Sequence, residues 1–514
     1  MTNPYDDIIV GSGSAGAALA ARLTEDPDRR VLLLDAGPDF AALDETPFDI
    51  RNGNVMSLDA HDWQFRADVN DGRRIRFPRG KVTGGSSAVG ATIALRGTPA
   101  DFDEWAAFGN AEWAWEKVLP YFRRLEDDLD FDGEYHGRGG PIPIRRWRPE
   151  ELTPGQRAFT EACLKAGFAG VEDHNHPEST GVGPIPSNRR DTKTRVSTAM
   201  AYLGPARGRD NLDIRPGTLV RRVLLEGDRA VGVEVTTGNQ AGEEIRAQRV
   251  ILAAGAVGSP SILLRSGIGP AEDLRRHGIQ PLLDRPGVGA NLIDHPRTGV
   301  FLGAREGAWR ESDPFLQTIV RTTAAGSEEF NDLQYYMVNH FELDLFPELQ
   351  MLAGTSVILG VMLVHQRPQS RGRLALTSAD PNAAPDIELN FLATDRDHQV
   401  LVDGLRTCWQ LANHPGIREL GEDFIVLNDQ LIENDDMVRQ YAKLSLDSAY
   451  HPVGTAKMGP AGDADAVVDQ HLQVHGTQAL YVCDASVMPN IVSCNTNLTS
   501  IMIGERLADW LRQN

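Results

Sequence analysis

The chain opens with an apolar run, Tyr5–Val10, that stops at Gly11. An Ala/Leu-rich stretch, Ser14–Leu23, has helical spacing, and a second apolar run, Val31–Leu34, is closed by Asp35-Ala36-Gly37. Short apolar runs bounded by glycine predict buried strands, so the first forty residues predict a strand–turn–helix–strand unit. Residues 63–97 are rich in Gly, Ser and Arg, which predicts a loop. Residues 100–125 predict mainly helix and carry Trp105, Trp113 and Trp115, and 131–149 predict a polar connection. Residues 211–235 alternate apolar and polar around Glu226-Gly227-Asp228, the pattern of a hairpin or meander. A buried strand over 249–254 runs into Gly255, with helix over 260–265. Between 300 and 450 strands and helices mix, including a strand at 373–377 and the helix Asp395–Ala412, and 497–511 predict an amphipathic helix. No internal repeat is visible.

Composition narrows the class. The 514 residues are 41% hydrophobic and 24% charged, enough for a large core or two joined domains. A formal net charge of −21 repels phosphate backbones and anionic lipid, which argues against nucleic acid or membrane surfaces as partners. Cys163, Cys408, Cys483 and Cys494 show neither metal-ligand spacing nor a disulfide framework. No basic stretch followed by an apolar one precedes the first strand, so no cleaved signal is expected. The longest apolar runs, such as 357–364, are too short to span a bilayer. The expectation is a cytoplasmic protein.

The first turn carries candidate chemistry. Gly11-Ser12-Gly13-Ser14-Ala15-Gly16 is a G-x-G-x-x-G that follows a strand and opens a helix. The first glycine permits the tight turn, the second lets a pyrophosphate approach the backbone, and the third lets helix and strand pack closely. The helix N-terminus offers N–H groups and partial positive charge to phosphates. Asp35, at the end of the second strand, is placed to accept hydrogen bonds from ribose hydroxyls. A dinucleotide is implied, without a choice between FAD and NAD.

Longer motifs make that choice. Pro78-Arg79-Gly80-Lys81 with Gly84-Gly85-Ser86-Ser87, and the run from Gly255-Ala256-Val257-Gly258-Ser259-Pro260 to Ser266-Gly267-Ile268-Gly269, resemble the two signatures of the glucose–methanol–choline (GMC) oxidoreductases. Gly287-Val288-Gly289-Ala290-Asn291-Leu292-Ile293-Asp294-His295-Pro296, Ser370-Arg371-Gly372-Arg373 and Val482-Cys483-Asp484-Ala485-Ser486-Val487-Met488-Pro489 also resemble the family, so the likeness covers nearly the whole chain. It implies an α/β fold: a discontinuous Rossmann-like FAD-binding domain with an α+β substrate domain. The implied division is 1–150 (FAD-binding, with the flavin loop), 151–205 (substrate segment), 206–300 (FAD-binding), 301–450 (substrate-binding) and 451–514 (active-site loop and last FAD-binding segment).

The resemblance implies FAD held by Gly11 to Gly16, Asp35, Ala36, Arg79, Gly80, Val82, Gly84, Gly85, Ser86, Val89, Gly90, Ala91, Val220, Ala254, Gly255, Asp484, Ala485, Asn495, Thr496 and Asn497. Some relatives bond flavin covalently to a His whose place is Val89 here, so non-covalent FAD is expected. Most relatives carry Asn where this chain has Gly90, a departure beside the flavin. His451, in Tyr450-His451-Pro452, matches the family's catalytic base, and Asn495 matches its partner position. A neutral imidazole would take the hydroxyl proton as hydride leaves an alcohol carbon for flavin N5, and the amide would hold the alcohol oxygen. The expected reaction is alcohol oxidation, with oxygen, a quinone or another carrier as the electron acceptor. The alternative is a lyase or photoenzyme on the same fold, or flavin binding without turnover.

Asp173-His174-Asn175-His176 lacks metal-ligand spacing and reads as a solvated loop, and no metal site is expected. His295 reads as structural. Arg195, Trp63, Trp105, Trp113 and Trp115 read as packing or phosphate-neighbourhood residues. Phe341, Phe346 and Phe391 either line a substrate pocket or belong to the core. No Gly-x-Ser-x-Gly elbow supports a hydrolase triad.

Overall fold

The structure is a computed structural model and describes residues 5–70, 72–238 and 242–513. The opening unit forms as the pattern predicts, with strand Tyr5–Val10, helix Ser14–Leu23 and strand Val31–Leu34. Tyr5–Val10 pairs in parallel with Val31–Leu34 on one side and with Glu243–Leu252 on the other. Leu212–Arg215 extends one edge and Leu480–Val482 pairs with Glu243–Leu252, both in parallel. Strands of such a sheet are covered on both faces, which is why they read as unbroken apolar runs. The first half of Glu243–Leu252 also closes an antiparallel meander with Thr218–Glu226 and Arg229–Thr237, the alternating segment of the sequence.

Two expectations change. Residues 63–97 are not all loop: Arg66–Asn70 and Arg73–Arg76 form an antiparallel pair, extended by Asp386–Glu388 and Arg373–Ala375. Arg66–Asn70 does alternate, burying Ala67 and Val69 between polar residues, but so short a run is hard to see in a stretch rich in Gly and Arg. The last helix, Asn497–Gln513, is not a one-faced amphipath, since Leu498 to Ala508 are all buried, Glu505 and Arg506 included. It packs against helices Ser14–Leu23 and Trp115–Leu125. A Cβ on Gly504 would sit 2.4 Å from the Ala15 carbonyl oxygen. Glu505 is tolerated inside because Arg22, Arg124 and the Tyr202 hydroxyl all reach its carboxylate.

A second sheet is wholly antiparallel, in the order Gly421–Phe424, Pro296–Ala304, Val357–His365, Leu333–Glu342, Thr318–Thr322, Gly181–Pro184. Helix Asp395–Ala412 covers one face. A Cβ on its Gly404 would lie 3.1 Å from Leu363 and 3.5 Å from the Tyr335 hydroxyl. Strand alternation then turns the neighbouring residues Gln334, Tyr336 and Val364 to the opposite face. Arg297 stands opposite Val364 in register and shares that face.

Candidate active site

Glycines shape one end of a cavity of about 640 Å³. Gly11 has φ +102°, and a Cβ there would lie 2.4 Å from the Ala253 carbonyl oxygen. A Cβ on Gly16 would lie 1.9 Å from the Gly11 oxygen, and one on Gly37 would lie 2.3 Å from the Lys81 backbone. No side chain caps helix Ser14–Leu23, whose N-cap is Gly13. Its first N–H groups are therefore left for an anion. Asp35 takes the Ser12 backbone N–H at 2.9 Å, the Ser12 hydroxyl at 2.5 Å and the Gly37 N–H at 2.8 Å. Its oxygens thus brace the glycine turn while the residue lines the cavity. Asp484 does the same at the next turn, accepting from the Gly255 N–H (2.8 Å) and the Ser259 hydroxyl (2.5 Å). A helix N-terminus without a side-chain cap, behind a turn whose glycines let main chain pack against main chain, fits the pyrophosphate of FAD.

At the other end His451 and Asn495 both line the wall, with Asn495 Nδ2 3.0 Å from His451 Nε2. The second ring nitrogen of His451, Nδ1, lies 3.0 Å from Nδ1 of His295. His295 Nε2 lies 3.1 Å from the Val492 carbonyl oxygen. Burial, reinforced by the charges of Arg79 and Arg297, lowers the His451 pKa to about 3. Burial, with the neighbouring His451 and His365, holds His295 well below the ordinary range. Both rings are neutral at pH 7. Because a carbonyl only accepts, His295 must carry its proton on Nε2, which leaves its Nδ1 as an acceptor. His451 then donates from Nδ1 and turns the Nε2 lone pair toward Asn495 and the cavity.

The backbone around both residues is tightly held. Buried Asp294 accepts the His451 N–H at 2.9 Å, the His295 N–H at 2.7 Å and the Ser448 hydroxyl at 2.5 Å. Four successive carbonyls leading to Asn495 each accept from a different side chain. Trp105 reaches Asn490 (2.9 Å), Arg367 reaches Ile491 (2.6 Å), His295 reaches Val492 (3.1 Å) and Arg321 reaches Ser493 (3.3 Å).

Most residues named from the sequence line this one cavity: Gly11, Gly13, Ser14, Ala15, Asp35, Ala36, Arg79, Gly80, Gly85, Ser86, Val89, Gly90, Ala91, Val220, Ala254, Gly255, Asp484, Ala485, Asn495, Thr496 and Asn497, with His451. Four stand behind the wall instead. Ser12 is fully buried and Gly16 seats the helix on the strand. Val82 packs with Ile50, Ala88 and Val89. Gly84 donates its N–H to the Ser12 oxygen at 3.0 Å.

Other readings are corrected. His295, read as structural, is buried and hydrogen-bonded directly to His451. Of the two readings of the phenylalanines the core one holds for Phe391, which is buried, and Phe341, which packs against the core; the lining takes Phe315, Phe65, Gln334, Tyr336 and Val364. No motif marks these residues. Residues 173–176 are not a solvated loop: His174 is fully buried and the Asn175 Oδ1 accepts the Arg96 N–H at 2.9 Å. Asp173 meets Arg146 at 2.5 Å and His136 at 3.0 Å. His136 also sits within ligand distance of Glu126 and Asp128, but Arg96 pairs with Glu126 and Arg146 with Asp128, so the group is a salt-bridged brace. Burial opposes a charged His136, yet Asp128, Asp173 and Glu126 together raise its pKa to about 10. Arg195 donates to the carbonyls of Asp49, Ala88 and Gly90, holding the loop behind Val89.

A dinucleotide cradle that opens onto a histidine–amide pair fits an FAD-dependent oxidoreductase acting on CH–OH groups, the class that comparison with known proteins shows. Residues 5–297 match one GMC oxidoreductase family model and residues 368–504 a second, and the chain belongs to the GMC oxidoreductase family. It is 35% identical over 505 residues to an uncharacterized GMC-type oxidoreductase of Rhodococcus erythropolis, covering 98% of this chain and 97% of the relative. It is 37% identical over 546 residues to oxygen-dependent choline dehydrogenase 1 of Chromohalobacter salexigens, covering 99% and 95%. Among solved structures it is similar to pyridoxine 4-oxidase from Mesorbium loti, at 32% identity with a TM-score of 0.90, covering 99% of both chains. Among the described residues no helix is long and apolar enough to cross a membrane.

Proposed function

We propose that the protein oxidises an alcohol to a carbonyl compound, with His451 as the base. The observation that supports this best is the hydrogen-bonded series from the Val492 carbonyl through His295 and His451 to Asn495. It leaves the His451 Nε2 lone pair facing the cavity, where an alcohol hydroxyl would replace the amide hydrogen bond and give up its proton. Asn495 Nδ2 carries a second hydrogen, available to the alcohol oxygen, so the pair fixes the oxygen while the base acts. When bound, FAD supplies the hydride acceptor. Thr496 and Asn497 line the cavity at the start of helix Asn497–Gln513, whose N-terminal dipole favours negative charge there. Val89 offers no nucleophile where relatives attach flavin, so FAD is held without a covalent bond.

The test is anaerobic bleaching of the flavin by an alcohol in wild type and His451→Ala. The variant should keep its flavin absorbance and bleach about 10²–10⁴-fold more slowly. An unchanged rate would remove His451 from the reaction.

A further inference from the structure

Resting on that reading, we propose that the reacting end takes aromatic alcohols bearing an anionic or hydrogen-bond-accepting group, and rejects quaternary-ammonium alcohols. The floor of this end is one row of the second sheet, in which Gln334 stands opposite Val364 and Val364 opposite Arg297. Every strong polar group on that face is a donor or can act as one. Arg297 is a cation, Gln334 Nε2 is buried without a hydrogen-bond partner, and the Tyr336 hydroxyl lies two residues along the same strand. An orphaned buried donor is costly unless a ligand satisfies it.

The charges agree. Among the described residues lining the cavity the only carboxylates are Asp35 and Asp484, and both serve the glycine turns at the nucleotide end. Arg79 and Arg297 line the wall near His451. Asp447, the partner of Arg297 at 2.5 Å, is outside the lining, so the cation is the end of that pair nearest a substrate. The same two arginines, Arg79 and Arg297, are the charges that lower His451.

Aromatic walls alone would also suit a quaternary ammonium, which binds ring faces. Here the protein's own cations already use those faces. Arg297 lies 4.6 Å from the centre of the Tyr450 ring, and Lys81 lies 4.7 Å from that of Trp63. Phe65, stacked on Trp63, and Phe315 add apolar surface for a ring, but with Arg297 and Arg79 close by a second cation there meets like charge.

The experiment compares three near-isosteric alcohols on the FAD-loaded enzyme: benzyl alcohol, 4-(hydroxymethyl)benzoate and 4-(hydroxymethyl)phenyltrimethylammonium. It measures anaerobic flavin bleaching, and calorimetric binding of the unreactive benzoate and phenyltrimethylammonium. The carboxylate alcohol should bleach the flavin at least tenfold more efficiently than the ammonium alcohol, and benzoate should bind at least tenfold more tightly than phenyltrimethylammonium. Arg297→Met leaves Asp447 uncompensated and should level or invert both ratios. Gln334→Glu, which keeps the side-chain shape, should shift them the same way. If phenyltrimethylammonium binds the wild type as well as benzoate does, or if neither variant moves the ratio, the charge inference falls. If benzoate wins but no alcohol bleaches the flavin, the charge inference stands and the proposed oxidation falls instead.

Discussion

At the nucleotide end of the cavity the wall is largely backbone: Gly11, Gly13, Gly85 and Gly255 line it, the N–H groups of Gly11 and Gly85 are tied to main-chain carbonyls, and carboxylates brace the turns from the side. At the reacting end it is largely side chain: His451 and Asn495 on one side, Arg297, Gln334, Tyr336 and Val364 on the other. A backbone wall recognises what every FAD shares and leaves little room for variation, because a Cβ on Gly11 or Gly85 would meet main chain at 2.4 Å or 2.8 Å. A side-chain wall can change its charge and shape while the strands beneath keep their register. A common cofactor and a changeable substrate thus follow from two kinds of surface in one cavity.

The most direct way to break that comparison is to place one carbon just behind the backbone wall, where the helix is seated on the strand. In Gly16→Ala the new Cβ would lie 1.9 Å from the Gly11 oxygen, and neither main chain can retreat without moving the helix off the strand. Overpacking of this sort should cost about 3 kcal/mol or more. The expected outcome is protein that melts well below wild type and purifies with little flavin. Full flavin content and an unchanged melting temperature would show that the turn is more pliable than this geometry allows.

At the reacting end a comparable deletion should spare the cofactor and harm the rate. His295→Leu removes the acceptor that fixes the His451 tautomer, and also the donor to the Val492 carbonyl. With His451 free to carry its proton on either nitrogen, bleaching by alcohol should slow by roughly 10²-fold, within the range set by misassigned or missing bases. Flavin content and benzoate affinity should stay near wild type, which separates loss of positioning from general damage. A variant that loses affinity and rate in parallel would mean that His295 merely supports the wall.

The two ends were also unequally legible. Tyr5–Val10 through Asp35 could be read from the chain because strand, turn and helix are sequence neighbours and each glycine meets a local demand. His451 and Asn495 emerged only by likeness to long motifs, since spacing alone says nothing about a histidine before a proline. Arg297 was one of 51 Lys and Arg residues, and only strand register brings it beside Gln334 and Val364. Residues 173–176 were misread for the same reason. Four polar residues in a row look solvated until distant partners, Arg96, Arg146 and His136, come to them in the fold. Arg66–Asn70 and Arg73–Arg76 were hidden because only Ala67, Val69 and Ile75 give them an apolar face, within a run rich in Gly and Arg.

Gly90 tests whether the boundary between the two kinds of wall carries function. It lines the cavity, and its carbonyl accepts from Arg195 Nε at 3.2 Å, so its backbone is held from behind. A Cβ there would meet only the Ser86 oxygen, at 3.3 Å, a contact relieved by a few tenths of an ångström. Its φ is not left-handed, so a side chain adds no backbone strain. Gly90→Asn should therefore change stability by less than about 1 kcal/mol. Its amide would nonetheless join the cavity lining, adding a side-chain donor and acceptor where glycine has no side chain. The expected signature is a shifted flavin absorbance band or an altered rate of reoxidation by oxygen, with an almost unchanged melting curve. If spectrum and reoxidation match wild type, glycine at this position is a neutral substitution, and the functional boundary lies further toward His451.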